Sequence, residues 1–261
     1  MLKKAALWAF CSLVILVTFS ARAGASLSIS PARVGVTLEY GETFTYSYNV
    51  TNNYSYEVEV IVTSRNWNNA RIHENVQVTD WLEVSKSSLI LQPEESADVY
   101  FTVRVPENVR GGLTAMISFT IRAANINIMT SVPVSLIICG TQEINFEIAG
   151  LNLMQVPPTE STQGSFNAGF NIENKSNMLI RPVGEVLVRS LRRRDRNNEP
   201  MRRIIYDVPP VFSDSRRFVG AQFNHLPNGR YRLEMTIESD GYAVTKRQDF
   251  RIRSGEVQIA S

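Results

Sequence analysis

The hydrophobic residues of this chain alternate with polar residues in short runs. Phe44, Tyr46, Tyr48 and Val50 are separated by single polar residues, and similar spacing recurs along most of the chain. Strand side chains point to opposite faces with a period of two, so these runs predict strands with one buried face. No comparable helical pattern is found. Before Gly140 the predicted strands lie at 27–30 with 33–38, 44–50, 58–62, 87–91, 99–105, 113–121 and 126–138.

The number and spacing of these runs predict the fold class. About seven strands in roughly 115 residues, with frequent Gly, Pro, Asn and Ser between them, are typical of an immunoglobulin-like sandwich. After Gly140 the pattern starts again. We therefore predict an all-β protein with two tandem immunoglobulin-like β-sandwich domains, at residues 26–140 and 141–261. The second set of runs lies at 146–148, 166–172, 186–188, 204–206, 219–223, 231–237 and 250–252.

A tyrosine follows a turn signal in the second predicted domain. Pro227-Asn228-Gly229 precedes Tyr231 by two residues, and the strand that follows has alternating charged and apolar side chains. This arrangement is typical of a tyrosine corner, in which the phenol hydrogen-bonds to the backbone of the preceding turn. A structural role for Tyr231 is expected.

The first 25 residues form a predicted signal peptide that is cleaved from the mature protein. Lys3 and Lys4 precede an apolar run from Ala5 to Phe19, and Ala23-Gly24-Ala25 offers a small-residue cleavage site. This run is too short to span a bilayer comfortably. We expect export to the periplasm, with the cell surface or secretion as alternatives, and no transmembrane segment in the mature chain. Cys139 is then the one remaining cysteine, expected as a buried core thiol.

Charge is distributed unevenly between the two predicted domains. Residues 26–150 carry 7 basic and 13 acidic side chains, whereas residues 151–261 carry 17 basic and 12 acidic ones. Much of the excess surrounds a predicted turn at 195–200. Such a hairpin either is simply solvated and protects an edge from aggregation, or binds an anionic surface or partner. The candidate anion-binding residues are Arg192, Arg193, Arg194 and Arg196.

No catalytic or metal-binding motif is found in the sequence. The two histidines, His73 and His225, fall in different predicted domains without nearby Cys or acidic ligands, whereas a metal site needs three or four converging ligands. Phosphate-binding loops, nucleophile elbows and metalloprotease motifs are also absent. We therefore expect no enzyme activity, no cofactor and no metal, and no nucleic-acid binding in an exported protein.

Three segments of the first predicted domain carry a family resemblance. They are Ser30-Pro31-Ala32-Arg33-Val34, Val50-Thr51-Asn52-Asn53 and the run from Ser88 to Ser96, and the similarity continues into the strands at 113–122 and 126–138. Together these segments resemble the N-terminal domain of PapD-like periplasmic pilus chaperones. The second domain resembles that family in architecture only. More distantly, the chain is similar to tandem immunoglobulin-like cell-envelope proteins.

The resemblance implies a function and a set of partner-binding residues. Members of the family lend a strand to a pilus subunit that lacks its own final strand, so the expected partner is a secreted β-rich subunit. Arg33 corresponds to an arginine that binds the subunit's C-terminal carboxylate. The family's second cleft cation would fall near Ser135, where no basic residue stands, and Pro133 removes one backbone donor from the lent strand. The implied donor row is Ile126, Ile128, Thr130 and Val132.

Alternative interpretations of these residues remain open. Arg33 is either a carboxylate anchor or an ordinary surface residue, and the row from Ile126 to Val132 either is donated or packs in the core. Exposure of several large aliphatic side chains would distinguish a donor row from a core row. The alternative function is a non-catalytic structural or adhesion module of the cell envelope that binds an anionic surface or partner.

Overall fold

The protein is built almost entirely of β-strands, as a computed structural model shows. It describes residues 26–67, 76–123, 126–160, 164–192, 200–205 and 208–259. The predicted all-β fold class is confirmed. The first domain contains β1 (Leu27–Ser30), β2 (Val34–Leu38), β3 (Thr43–Asn52), β4 (Val58–Asn66), β5 (Leu82–Val84), β6 (Ser88–Leu91), β7 (Ser96–Arg104), β8 (Gly112–Ala123) and β9 (Ile126–Ile138). A short 3-10 helix, Val78–Asp80, precedes β5.

The first domain is a sandwich of two sheets. One sheet has the order β1-β3-β7-β5 and the other the order β2-β9-β8-β4-β6. Their inner faces bury alternate side chains, including Tyr48, Val50, Trp81 and Phe119, as the alternation predicted. Burial of these large apolar groups is the main stabilising term for a sandwich without disulfides.

The second domain is a second sandwich. Its sheets have the orders β10-β11-β14 and β13-β12-β15-β16-β17. Tyr231 is buried, and its hydroxyl donates a hydrogen bond of 2.8 Å to the carbonyl of Pro227, which confirms the predicted tyrosine corner. The strands are β10 (Phe146–Val156), β11 (Ser165–Asn174), β12 (Val183–Ser190), β13 (Met201–Ile205), β14 (Ser215–Asn224), β15 (Gly229–Ser239), β16 (Tyr242–Arg253) and β17 (Glu256–Ile259).

The chain changes sheets near its described beginning. The prediction grouped 27–30 with 33–38, but a cis peptide bond at Ser30–Pro31 separates two strands in opposite sheets. β1 pairs antiparallel with β3, whereas β2 pairs parallel with β9. Val34 of β2 lies opposite Val134, so β2 covers the edge of β9 only from that residue onward. This switch places Arg33 at the point where the covered part of the edge begins.

Each domain has its own hydrophobic core. The buried residues of the first core extend to Ile138, and those of the second begin at Phe146. The predicted boundary at residue 140 lies between these two positions and stays a prediction.

One predicted core residue lies elsewhere. Cys139 was expected to be buried, but its side chain is exposed, because β9 ends at Ile138 and Cys139 begins the turn that contains Gly140. Trp67, whose backbone is hydrogen-bonded to Thr114 of the first sandwich, also makes an edge contact with Phe212 of the second domain, with ring centroids 4.9 Å apart.

Close backbone contacts join the two domains. The amide of Gly112, at the start of β8, donates a hydrogen bond of 3.1 Å to the carbonyl of Asn177. The Asn177 side chain in turn donates to the carbonyl of Thr141 and accepts from the amide of Glu143, each at 2.9 Å. Within the described residues, no helix has the length and apolar character needed to span a membrane.

Candidate binding cleft

The cleft between the two domains encloses a cavity of about 280 Å³. Residues at the start of β2, at the start of β8 and in β9 form its wall in the first domain. The second domain contributes the segment between β11 and β12 and the turn between β15 and β16. The lining residues that matter below are Arg33, Ser135, Met178, Arg181 and Asp240.

Two arginines from different domains share this cavity. Arg33 directly precedes β2, and Arg181 lies two residues before β12. Partial burial and the nearby positive charge of Arg33 lower the pKa of Arg181 from its ordinary value. Among the described residues neither guanidinium forms an ion pair within 4 Å. The cleft therefore concentrates positive charge that is not engaged in an ion pair within the described part of the chain.

One acidic side chain also lines the cleft. Asp240 accepts a hydrogen bond of 2.7 Å from the hydroxyl of Ser239 and forms no ion pair with either arginine among the described residues. The cationic donor groups among the described lining residues are the guanidinium groups of Arg33 and Arg181. Such groups bind carboxylates through parallel N–H donors.

Arg181 supplies a cation that sequence reasoning missed. The resemblance would place a second cation near Ser135, which does line the cavity but is uncharged. Arg181 is 148 positions from Arg33 along the chain, and its neighbours Ile180 and Pro182 form no motif. Packing of the second domain against the first is what brings it to the cleft, so no local sequence signal could have found it.

The strand β9 leaves part of its edge open beside the cleft. β8 pairs with β9 along its whole length, while β2 pairs only with Val134–Ile138. Among the described strands, none lies beside the first half of β9 on that edge. The hydroxyl of Tyr48 donates to the carbonyl of Pro133, where the open edge ends. Burial, with a smaller effect of Tyr46, raises the pKa of Tyr48, so this donor stays protonated.

The proposed donor row is divided between exposed and buried positions. Ile128 is 41% exposed and Met129, on the opposite face, is 54% exposed, so neither face of β9 is covered there. Thr130 is half-buried, and Val132 is only 5% exposed and packs in the first core. Ile126 is the first residue of β9, and its side chain lies outside the described part.

The turn of the arginine-rich hairpin is only partly described. β12 and β13 pair as the predicted hairpin, with Val188 opposite Met201. Arg192 is exposed, and its guanidinium donates to the carbonyl of Asn228. The candidate residues Arg193, Arg194 and Arg196 lie outside the described residues, as does His73.

The described residues contain no group of three or more His, Cys, Asp or Glu side chains placed to hold a metal ion. His225 contacts the side-chain amide of Gln155 at 3.2 Å. This contact is a surface hydrogen bond between neighbouring elements of the second domain.

Of the comparisons with known proteins, only the one with solved structures finds proteins similar to this chain. No family model matches the chain, and no curated protein matches it. Structures similar to it are mostly fimbrial chaperones, the class of protein that the sequence resembles. The class 5 fimbriae chaperone CfaA is 12% identical, with a TM-score of 0.46, over 85% of this chain and 98% of that one.

Two further structures show the same range of similarity. The Salmonella enterica SafA pilin in complex with the SafB chaperone is matched at 12% identity and a TM-score of 0.43, over 85% of this chain and 95% of that one. The E. coli chaperone DraB is matched at 10% identity and a TM-score of 0.42, over 87% of this chain and 96% of that one.

Proposed function

We propose that this protein is a non-catalytic periplasmic chaperone that holds an exported β-rich subunit by strand addition. The partner strand lies along the open edge of β9, and its C-terminal carboxylate lies in the cleft between Arg33 and Arg181. The observation that carries this proposal is a pair of guanidinium groups at the end of an open strand edge, neither of which has an ion-pair partner in the described part of the chain.

The position of β2 explains why edge and cleft act together. β2 occupies the edge of β9 from Val134 onward, and Arg33 precedes the first residue of β2. A partner strand beside the first half of β9 therefore ends where Arg33 stands. If it runs parallel to β9, its C-terminus points into the cleft. Backbone hydrogen bonds then supply affinity along the edge, and the exposed Ile128 supplies an apolar contact.

A peptide with two forms of its C-terminus tests the carboxylate contact. The probe is a synthetic strand-forming peptide of alternating valine and serine, with a free carboxylate or with an amide, titrated by calorimetry. The wild-type protein should bind the acid about tenfold more tightly than the amide, because hydrogen bonds to a charged group are worth about 1.5–3 kcal/mol. Arg33→Gln and Arg181→Gln should each remove this preference.

The matched control is Arg104→Gln, which removes one exposed arginine that pairs with Glu83 in the first domain. It should keep the preference for the acid. Equal binding of acid and amide by the wild-type protein would contradict the proposal. A natural partner captured from envelope extract would also contradict the proposal if its capture depends on Arg192 and weakens steeply with salt. Strand addition, in contrast, is largely insensitive to ionic strength.

A further inference from the structure

A second cavity lies in the second domain, at the end remote from the cleft. It encloses about 360 Å³ and is lined by four exposed arginines together with Leu191, Asn228, Gly229 and Ile252. We call Arg192, Arg230, Arg251 and Arg253 the distal arginine cluster. Arg230 is the second residue of β15, and Asp240 of the cleft follows its last residue. At about 3.3 Å per residue, the two sites are roughly 30 Å apart.

Sheet pairing forces like charges together in this cluster. Arg230 stands directly opposite Arg251 in the β15–β16 pair. Like charges in directly opposite positions destabilise a sheet. A bound anion would remove this repulsion.

Among the described residues, no carboxylate forms an ion pair with the distal arginine cluster. Asp249 is engaged by Arg232, with Nε–Oδ1 and Nη–Oδ2 distances of 2.6 and 2.9 Å, and this contact, with a smaller effect of the Arg230 charge, lowers the pKa of Asp249. Glu256 stands opposite Arg253 in the β16–β17 pair, yet the two form no ion pair among the described residues. Among the described residues, no acidic side chain lines the cavity itself.

The walls of the cavity are held by backbone contacts. The amide of Leu191 donates to the carbonyl of Arg230 at 2.8 Å, which ties the segment after β12 to β15. Arg192 donates to the carbonyl of Asn228 at the rim. Planar guanidinium groups on fixed strands match the oxygens of a phosphoryl group, which accepts several N–H donors at once. Four cations in one cavity favour a ligand with more than one negative charge.

We propose that the distal arginine cluster is a binding site for a phosphate-class polyanion, carrying one or two phosphoryl groups. This site is separate from the carboxylate cleft and does not depend on the strand-addition proposal. Its ligand is either a soluble phosphoryl compound or the headgroup of an anionic lipid.

Calorimetric titration of the chain from residue 26 with inorganic pyrophosphate tests the site. The double variant Arg230→Gln with Arg251→Gln should bind pyrophosphate at least about tenfold more weakly than the wild-type protein. The control is Arg202→Gln with Arg216→Gln, which changes the net charge equally but removes arginines paired with Glu185 and Glu173. It should bind within about twofold of the wild type. Thermal unfolding verifies that both variants fold.

Cosedimentation with vesicles distinguishes the two sources of the phosphoryl group. Vesicles of phosphatidylcholine with and without phosphatidylglycerol are offered to the same three proteins. If the cluster variant loses pyrophosphate binding, this result supports a soluble ligand. If it loses only binding to the vesicles that contain phosphatidylglycerol, this result supports a lipid headgroup. If the cluster variant and the control variant bind both probes equally, the proposal is wrong, whatever the outcome for Arg33 and Arg181.

Discussion

The guanidinium groups of Arg33 and Arg181 come from different domains and yet line one cavity. Neither forms an ion pair among the described residues, and the charge of Arg33 contributes to the lowered pKa of Arg181. Two unneutralised like charges are a cost to the folded protein. Such costs are common where binding requires them.

Removing one of these charges should therefore stabilise the protein while it weakens binding. We expect Arg181→Gln to raise the free energy of unfolding by roughly 0.2–1 kcal/mol, because exposed charge interactions have this size. Urea unfolding at low ionic strength measures the change, and added salt should reduce it. Arg104→Gln breaks the ion pair with Glu83 and should not stabilise the protein. A lower stability of Arg181→Gln would show that this arginine serves packing instead.

The two halves of β9 differ in pairing and burial. Its second half, from Val134 to Ile138, is paired on both edges and contributes Val134, Leu136 and Ile138 to the first core. Its first half is paired on one edge and carries exposed Ile128 and Met129. An open edge with apolar side chains is a template for another strand, which is useful in a chaperone and otherwise a risk of aggregation.

Substitutions in the two halves of β9 should have different effects. Ile128→Ser should change the free energy of unfolding by less than about 1 kcal/mol, because the side chain is already largely exposed. The same change should weaken binding of the strand-forming peptide. Val132→Ala removes buried methyl groups and should cost about 2 kcal/mol. Chemical denaturation measures the stability of both variants, and peptide titration measures their binding. Unchanged peptide binding by Ile128→Ser would exclude this edge as the partner's site.

Contact between the domains depends on a glycine that has no room for a side chain. Gly111 has φ +79°, and a Cβ there would lie 2.2 Å from the carbonyl oxygen of Asn177. We expect Gly111→Ala to separate the domains locally while both cores persist, at a cost of roughly 1–3 kcal/mol. Small-angle scattering should show a larger radius of gyration, and calorimetry should show two unfolding transitions.

Gly41→Ala is the control for Gly111→Ala, because it introduces backbone strain without a steric clash. Gly41 has φ +85°, but nothing lies within 4 Å of a Cβ at this position. This variant should therefore lose some stability and keep the radius of gyration of the wild type. If Gly111→Ala behaves in the same way, the contact with Asn177 does not hold the domains together.

Much of the fold was predictable from short segments of the chain. The alternation around Tyr48, Phe119 and Leu233 identified buried strand faces, and the turn before Tyr231 identified the tyrosine corner. These features depend on neighbouring residues, because a strand's two-residue period assigns each side chain to a face without knowledge of the rest of the fold. The same locality explains the error at Cys139. The apolar run continues to that residue, whereas the strand ends at Ile138.

The two proposed binding sites depend on residues that are distant in sequence. Arg33 was suggested by its place in a motif, but Arg181 and Asp240 reach the cleft only because the second domain packs against Gly111 and Gly112. The opposition of Arg230 and Arg251 likewise follows from the register of two strands. Periodicity specifies which face a side chain occupies, whereas register and domain packing specify what it meets, and those depend on contacts across the whole chain.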